Sequence, residues 1–332
     1  MVAQIDSNYI KVRPLKVVSR LVSYVFFEGR PLTTKGQWIN RFLFMLFKIE
    51  RYLPQLRQVK KPLFVIGTGR SGTTILGVLM SMHKEVGFLN EPKALWSFLY
   101  PFEDVIGSYS RGPAKYRLDE SDASPEVIRK AHRLFGFYLW SVRSARLVDK
   151  YPELVFRVPF VKAIFADAKF IFLVRNGWDT CVSIETWSKR LGVDNVDERH
   201  DWWGANNRKW HLMLDQLVAT DSIFSGILDE IRQLSCHTDM AAVEWIVTMR
   251  EGLRCKEQNP DCVLMVRYED IVNKPSESLI ALLRFAELDD DAKFFSYSKN
   301  VLRPAPIHAP FELHPAIRPL FDETMKALGY PV

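Results

Sequence analysis

The sequence predicts an α/β protein in three layers, with a mostly parallel central sheet and helices on both of its faces. Short apolar runs alternate with longer stretches of helical periodicity, the rhythm of strands joined by crossover helices. Those runs are continuously hydrophobic, as strands buried on both faces must be. With 332 residues, 48% hydrophobic and 25% charged, the chain can also build the large core such a sheet needs.

In chain order, residues 1–60 read as a basic, mostly helical extension closed by the polar hinge "RQVKKP". Residues 61–332 read as one catalytic domain. The extension holds "WINRFLFMLFKIERYLPQL", whose apolar core "FLFMLF" at 42–47 is too short to span a bilayer. Two readings stay open for it: a helix packed on the main domain, or an interfacial helix making peripheral membrane contact.

Strands are expected at 63–67, 86–89, 169–175 and 262–268, and helices at 73–83, 125–144, 178–190, 205–218, 239–257 and 276–286. Ser124-Pro125 marks one helix start, a capping hydroxyl before a proline in the first turn. The polar segment 190–212, with three tryptophans, reads as an excursion over the sheet edge. The proline-rich tail from Arg303 is expected to be irregular until a short terminal helix.

Charge and cysteine content narrow the function classes. Forty-five Lys and Arg against 39 Asp and Glu give +6, but no dense basic block interleaved with aromatics argues for nucleic acid. A few arginines are free to serve an anionic ligand. Cys181, Cys236, Cys255 and Cys262 lack metal or redox spacing, which suits a reducing compartment. The opening residues carry charges where a secretory signal needs an apolar stretch, so a cytoplasmic location is expected.

The chemistry concentrates in "LFVIGTGRSGTTIL". A strand, a small-residue loop and a helix start present successive backbone N–H groups to an anion, and the glycines permit close approach. Ser71, Thr73 and Thr74 add hydroxyls. The result is a P-loop-like nucleotide-binding fold without the triphosphatase lysine, because Thr73 occupies that position. Later strands end in Arg175 and in Arg267-Tyr268 rather than in a carboxylate that could hold magnesium. Protein cations, not a metal, must then neutralise the ligand.

Four segments in order, from about Pro62 to Asp270, resemble the sulfotransferases that use 3′-phosphoadenosine 5′-phosphosulfate (PAPS). The likeness is to the branch with an "RSGTT" loop, related to bacterial, tyrosylprotein and heparan sulfate enzymes. By that resemblance "GTGRSGTTIL" is the 5′-phosphosulfate loop, with Gly69, Arg70, Ser71, Gly72, Thr73 and Thr74 as its cradle. "FLVRNGWDTCVS" is the 3′-phosphate motif, giving Arg175 and Ser183 as anchors eight residues apart. "MHKEVGFLNEP" supplies Glu91 as the base that takes the acceptor's proton, a role suited to a desolvated carboxylate of raised pKa. A helix-capping role is the competing view of Glu91, and His83 matches a structural position. In "LVDKYPELVF", Lys150 with Pro152 matches a lysine that reaches the reaction centre, although Tyr151 stands where a small residue is usual and could displace it.

"VRYEDIVNKP" resembles a scaffold segment beside the nucleotide. Trp245 falls where relatives keep an aromatic near the adenine, though a core tryptophan reads equally well. Trp187, Trp202, Trp203 and Trp210 could form an acceptor platform or pack on the sheet.

The resemblance implies metal-free, in-line sulfuryl transfer from PAPS, leaving 3′-phosphoadenosine 5′-phosphate (PAP). The acceptor would be a hydroxyl or amine on a carbohydrate, glycolipid, small molecule or peptide. Arg70, Glu91 and Lys150 would be its catalytic groups. Two other readings stand beside it: a nucleotide kinase with a degenerate loop, and a nucleotide-binding scaffold without activity.

Overall fold

A computed structural model describes residues 2–194, 198–304 and 307–332. Its central sheet contains β1 (Leu63–Gly67), β2 (Val86–Asn90), β3 (Arg146–Lys150) and β4 (Lys169–Val174). A small antiparallel sheet follows: β5 (Val193–Asp194), β6 (Arg199–Asp201) and β7 (Gly204–Ala205). Then β8 (Val263–Arg267) completes the main sheet. The strand order is β2-β3-β1-β4-β8, and every neighbouring pair is parallel.

Successive side chains of a strand point to opposite faces, and here both faces are covered. Leu63 and Val65 of β1 join a core with Leu79, Met80 and Leu282, while Phe64 and Ile66 join one with Trp96, Phe165 and Phe170. That gives the three predicted layers.

The sequence reading lacked β3. Its residues, Arg-Leu-Val-Asp-Lys, break the apolar pattern by which the other strands were recognised. Both buried side chains find a partner among their neighbours, although one Asp149 oxygen has none among the described residues and burial pushes its carboxyl well above the usual carboxylate range. Asp149 accepts a hydrogen bond from Trp96 Nε1 at 2.8 Å, and Lys150 pairs with Glu91.

Helix boundaries move by a few residues. The helix expected at 178–190 runs Gly177–Leu191, capped by Asn176, whose side chain accepts from the Trp178 N–H at 2.9 Å. The helix expected at 205–218 spans Arg208–Met213 and widens into a π turn over Leu214–Val218. Parts of the 190–212 excursion and of the proline-rich tail, at 195–197 and 305–306, lie outside the described residues.

Residues 7–50 form three helices, Ser7–Val12, Pro14–Phe26 and Ile39–Glu50. The helix Pro14–Phe26 and the residues just after it lie along the β2 edge. Lys16 Nζ donates to the Val86 carbonyl at 2.5 Å, and the Asn90 N–H donates to Glu28 at 2.7 Å. Phe27, Leu43 and Phe47 enter the main core. The 39–50 helix is therefore packed on the domain by one face. Its other face, with Phe42, Met45 and Ile49, is exposed. No helix among the described residues is long and apolar enough to cross a membrane.

Candidate functional site

The chemistry-bearing residues gather at the carboxyl ends of the five parallel strands, where open α/β sheets bind ligands. The loop after β1 turns sharply. Gly67, Arg70 and Gly72 all have positive φ (139°, 71° and 93°), and a side chain at Gly67 would meet the Leu173 carbonyl 2.5 Å away. Arg70 adopts this left-handed conformation although it is not glycine, a strain that persists only where the surroundings fix it. Gly72 is the N-cap of the helix Thr73–Ser81, so the first backbone N–H groups of that helix face the loop.

The Ser71 side chain is buried and donates to the Thr68 carbonyl at 2.5 Å. Its hydroxyl hydrogen is spent holding the turn, contrary to the expectation that it faces the anion. Gly69, Thr73 and Thr74 do line the open cavity.

Arg70 lies between the two anion motifs. Its Nε donates to Ser183 Oγ at 3.1 Å, and its carbonyl accepts from Arg175 Nη1 at 3.0 Å. Partial burial, then the neighbouring Arg190 and Arg175, lower the Arg70 pKa, and Glu91 opposes them. Three guanidinium groups thus share one region with few anions to balance them, which favours an anionic ligand. Arg175 is nearly buried, stacks over Tyr268 at 5.0 Å, and has an Nε with no hydrogen-bond partner among the described residues. A buried donor left unpaired is costly. These groups fit a phosphate or sulfate.

Glu91 follows β2 with φ 50°, and its N–H donates to the Lys150 carbonyl at 2.7 Å. It does not cap the next helix, whose N-cap is Pro92. Its carboxylate pairs with Lys150 Nζ on one side and lies 3.4 Å from Lys93 Nζ on the other. The expectation of a raised Glu91 pKa is overturned. Burial pushes it upward, but Lys150 and Lys93 outweigh burial and hold it at about 2. Lys93 is held in turn by Glu153 at 2.8 Å.

Lys150 is 1% exposed and ends β3 in regular pairing with Val65 and Asn90. Tyr151 does not displace it. The tyrosine side chain is buried, where its hydroxyl donates to Glu103. Arg157 closes that network, bonding Glu103 at 2.6 Å.

Gly69, Arg70, Thr73, Thr74, Glu91 and Lys150 line one cavity of about 330 Å³. Arg175 and Ser183 lie outside it, reached through Arg70. The tryptophans divide. Trp203 and Trp210 are core, whereas Trp187 and Trp202 line the cavity in an edge-to-face pair at 5.4 Å. Trp202 covers Gly69, leaving no space there for a side chain, and donates to Glu244 at 2.5 Å. Trp245 is fully buried, donates to the Arg175 carbonyl at 3.2 Å and packs on Phe321, so the core reading holds. His83 is buried and bonds the Asp289 carbonyl at 2.8 Å.

A family model described as "Sulfotransferase family" matches residues 62–225, the stretch from β1 through β4 and beyond. That segment, just under half of the chain, resembles the sulfotransferase family. A protein-tyrosine sulfotransferase of Drosophila melanogaster is 24% identical over 283 residues, covering 82% of this chain and 48% of that protein. The nodulation protein NoeE of Sinorhizobium fredii is 24% identical over 226 residues, 65% of this chain and 47% of that one. The chain thus spans about half the length of these curated relatives, or less. Among solved structures, the sulfotransferase domain from the curacin biosynthetic pathway aligns with TM-score 0.49 at 15% identity, over 83% of this chain and 99% of that one.

Sequence reading misses two members of this site, Lys93 and Arg190, and does not give the contacts that Trp202 and Tyr268 make. Lys93 was within reach, two residues past Glu91 in "NEPK". Tyr268 packs where a side chain on Gly72 would sit, a contact between distant segments that no local pattern announces.

Proposed function

We propose that the protein transfers a sulfuryl group from PAPS to an acceptor hydroxyl or amine, without a metal. The Glu91–Lys150 ion pair facing the anion loop across one cavity carries this reading. When bound, the donor supplies an activated sulfuryl group on a phosphate leaving group. The loop N–H groups, Thr73, Thr74 and Arg70 would hold its 5′ end. Arg175, with its unpaired Nε, and Ser183 would hold the 3′-phosphate.

The paired state of Glu91 then has a role. A carboxylate held at about pKa 2 is ionised but a weak base. As Lys150 turns its ammonium toward the anionic donor, Glu91 loses its nearest cation and its proton affinity rises. It can then take the acceptor's proton as the new bond to sulfur forms. Lys150 and Arg70 meanwhile offset charge on the equatorial and bridging oxygens. The kinase alternative gains no support from this arrangement, since the loop has Thr73 where such enzymes keep lysine.

Calorimetric titration with PAP tests the binding half. Replacing Arg175 with alanine removes a buried charge-assisted contact and is expected to weaken PAP roughly 10- to 100-fold. Unchanged affinity would remove Arg175 from the site. Glu91→Gln should keep PAP affinity yet lose transfer of radiolabelled sulfate from PAPS to an acceptor library. Full transfer by that variant would exclude Glu91 as the base.

A further inference from the structure

The helix Pro14–Phe26 is built inside out. It buries Lys16, Arg20 and Ser23 against the protein and exposes Leu15 (84%), Val18 (63%) and Val25. The buried polar groups are satisfied inward. Arg20 pairs with Glu28 at 2.5 Å and Ser23 Oγ bonds Tyr138 Oη at 2.9 Å. The helix Ile39–Glu50 exposes Phe42, Met45 and Ile49, spaced along one helical face, with Trp38 one turn earlier at 67% exposure. Twelve of the nineteen exposed large apolar side chains among the described residues fall in the first 56 residues. A water-facing surface does not gather them so densely.

An aromatic chain links these helices. Phe27 contacts Phe47 at 6.4 Å and Phe137 at 6.3 Å, and Phe137 reaches the exposed Trp140 at 5.7 Å.

Charge says what covers this face. Residues 1–60 hold eleven Lys and Arg against three Asp and Glu, a net +8, so the other residues carry thirty-four against thirty-six, a net −2. The whole positive excess sits in the extension. Its three acids are withdrawn: Asp6 caps a helix, Glu28 is paired and Glu50 is buried. The exposed charges are all cationic, Lys11, Lys35, Arg41, Lys48, Arg57 and Lys60. A second copy of the chain would bring like charge against like. Exposed aliphatic and aromatic side chains among cations suit the interface of an anionic bilayer.

We propose that the helices Pro14–Phe26 and Ile39–Glu50 dock on an anionic lipid bilayer surface. The segment joining them lines the cavity through Gly29, Arg30, Leu32 and Thr34, so docking brings the cavity close to the membrane.

Co-sedimentation of the full chain with vesicles tests this. One set is phosphatidylcholine alone and the other contains roughly a third phosphatidylglycerol. Binding is expected to the anionic set, weakened by salt. The pair Phe42→Ser/Ile49→Ser and the pair Arg41→Glu/Lys48→Glu should each lower it about tenfold or more. PAP affinity serves as the folding control, so a failure here leaves the transfer reading standing. No binding to anionic vesicles, or binding that both double variants retain, overturns the proposal. So does a dimer in solution that the apolar variant dissociates, since a second copy would then occupy the face.

Discussion

Glu50 closes the helix Ile39–Glu50, and neither of its carboxylate oxygens has a hydrogen-bond partner among the described residues. It is 1% exposed and sits at the negative end of the helix dipole. Burial raises its pKa from the ordinary 4.5 to about 8. The folded state thus holds this proton more tightly than the unfolded chain. Stability from this group is full below about pH 4.5 and is lost as pH rises toward 8. At about 1.36 kcal/mol per pH unit, the cost at pH 7 is roughly 3 kcal/mol. Glu50→Gln keeps the shape and removes the titration. Its melting temperature should match the parent's near pH 4.5 and exceed it by several degrees at pH 8, read by differential scanning fluorimetry across that range. Equal pH slopes for both proteins would show that Glu50 finds a proton donor or water, and the reasoning would fail.

Two further outcomes concern the site. Gly72→Ala places a methyl against Tyr268 at a backbone φ of 93°. It should cost about 1–2 kcal/mol in strain and weaken PAP, measured by thermal shift and calorimetry. Glu91, held at about 2, should stay ionised through the acid range, and Lys150→Met should move its titration upward. NMR of carbon-labelled glutamate follows both, and an unmoved titration would mean that Lys93 alone sets it.

The legible part of this protein was its local part. Uninterrupted apolar runs announced β1, β2 and β4, because a strand covered on both sides has little room for charge, and β8 shows the same run although it lies half-buried at the sheet edge. β3 hides for the same reason turned around: its Asp149 and Lys150 are buried but paired with groups far away in sequence. The loop after β1 could be read because glycines and hydroxyls after a strand have few other uses. The protonation state of Glu91 could not, since it depends on Lys150, 59 residues on, and on burial that only the packed chain creates. The inverted helix Pro14–Phe26 is a similar case. Its lysine and arginine look solvent-facing until their bonds to Val86 and Glu28 are seen.

The ion pair between Glu91 and Lys150 also bears on how a turnover ends. Any anion that recruits Lys150 must compete with a carboxylate tethered beside it at high local concentration. If the proposed transfer holds, spent nucleotide would meet that competitor at once, and the empty site would be restored by an exchange of partners rather than by bare separation of charges. On the proposed function, donor capture and product release would then both run through this one pair.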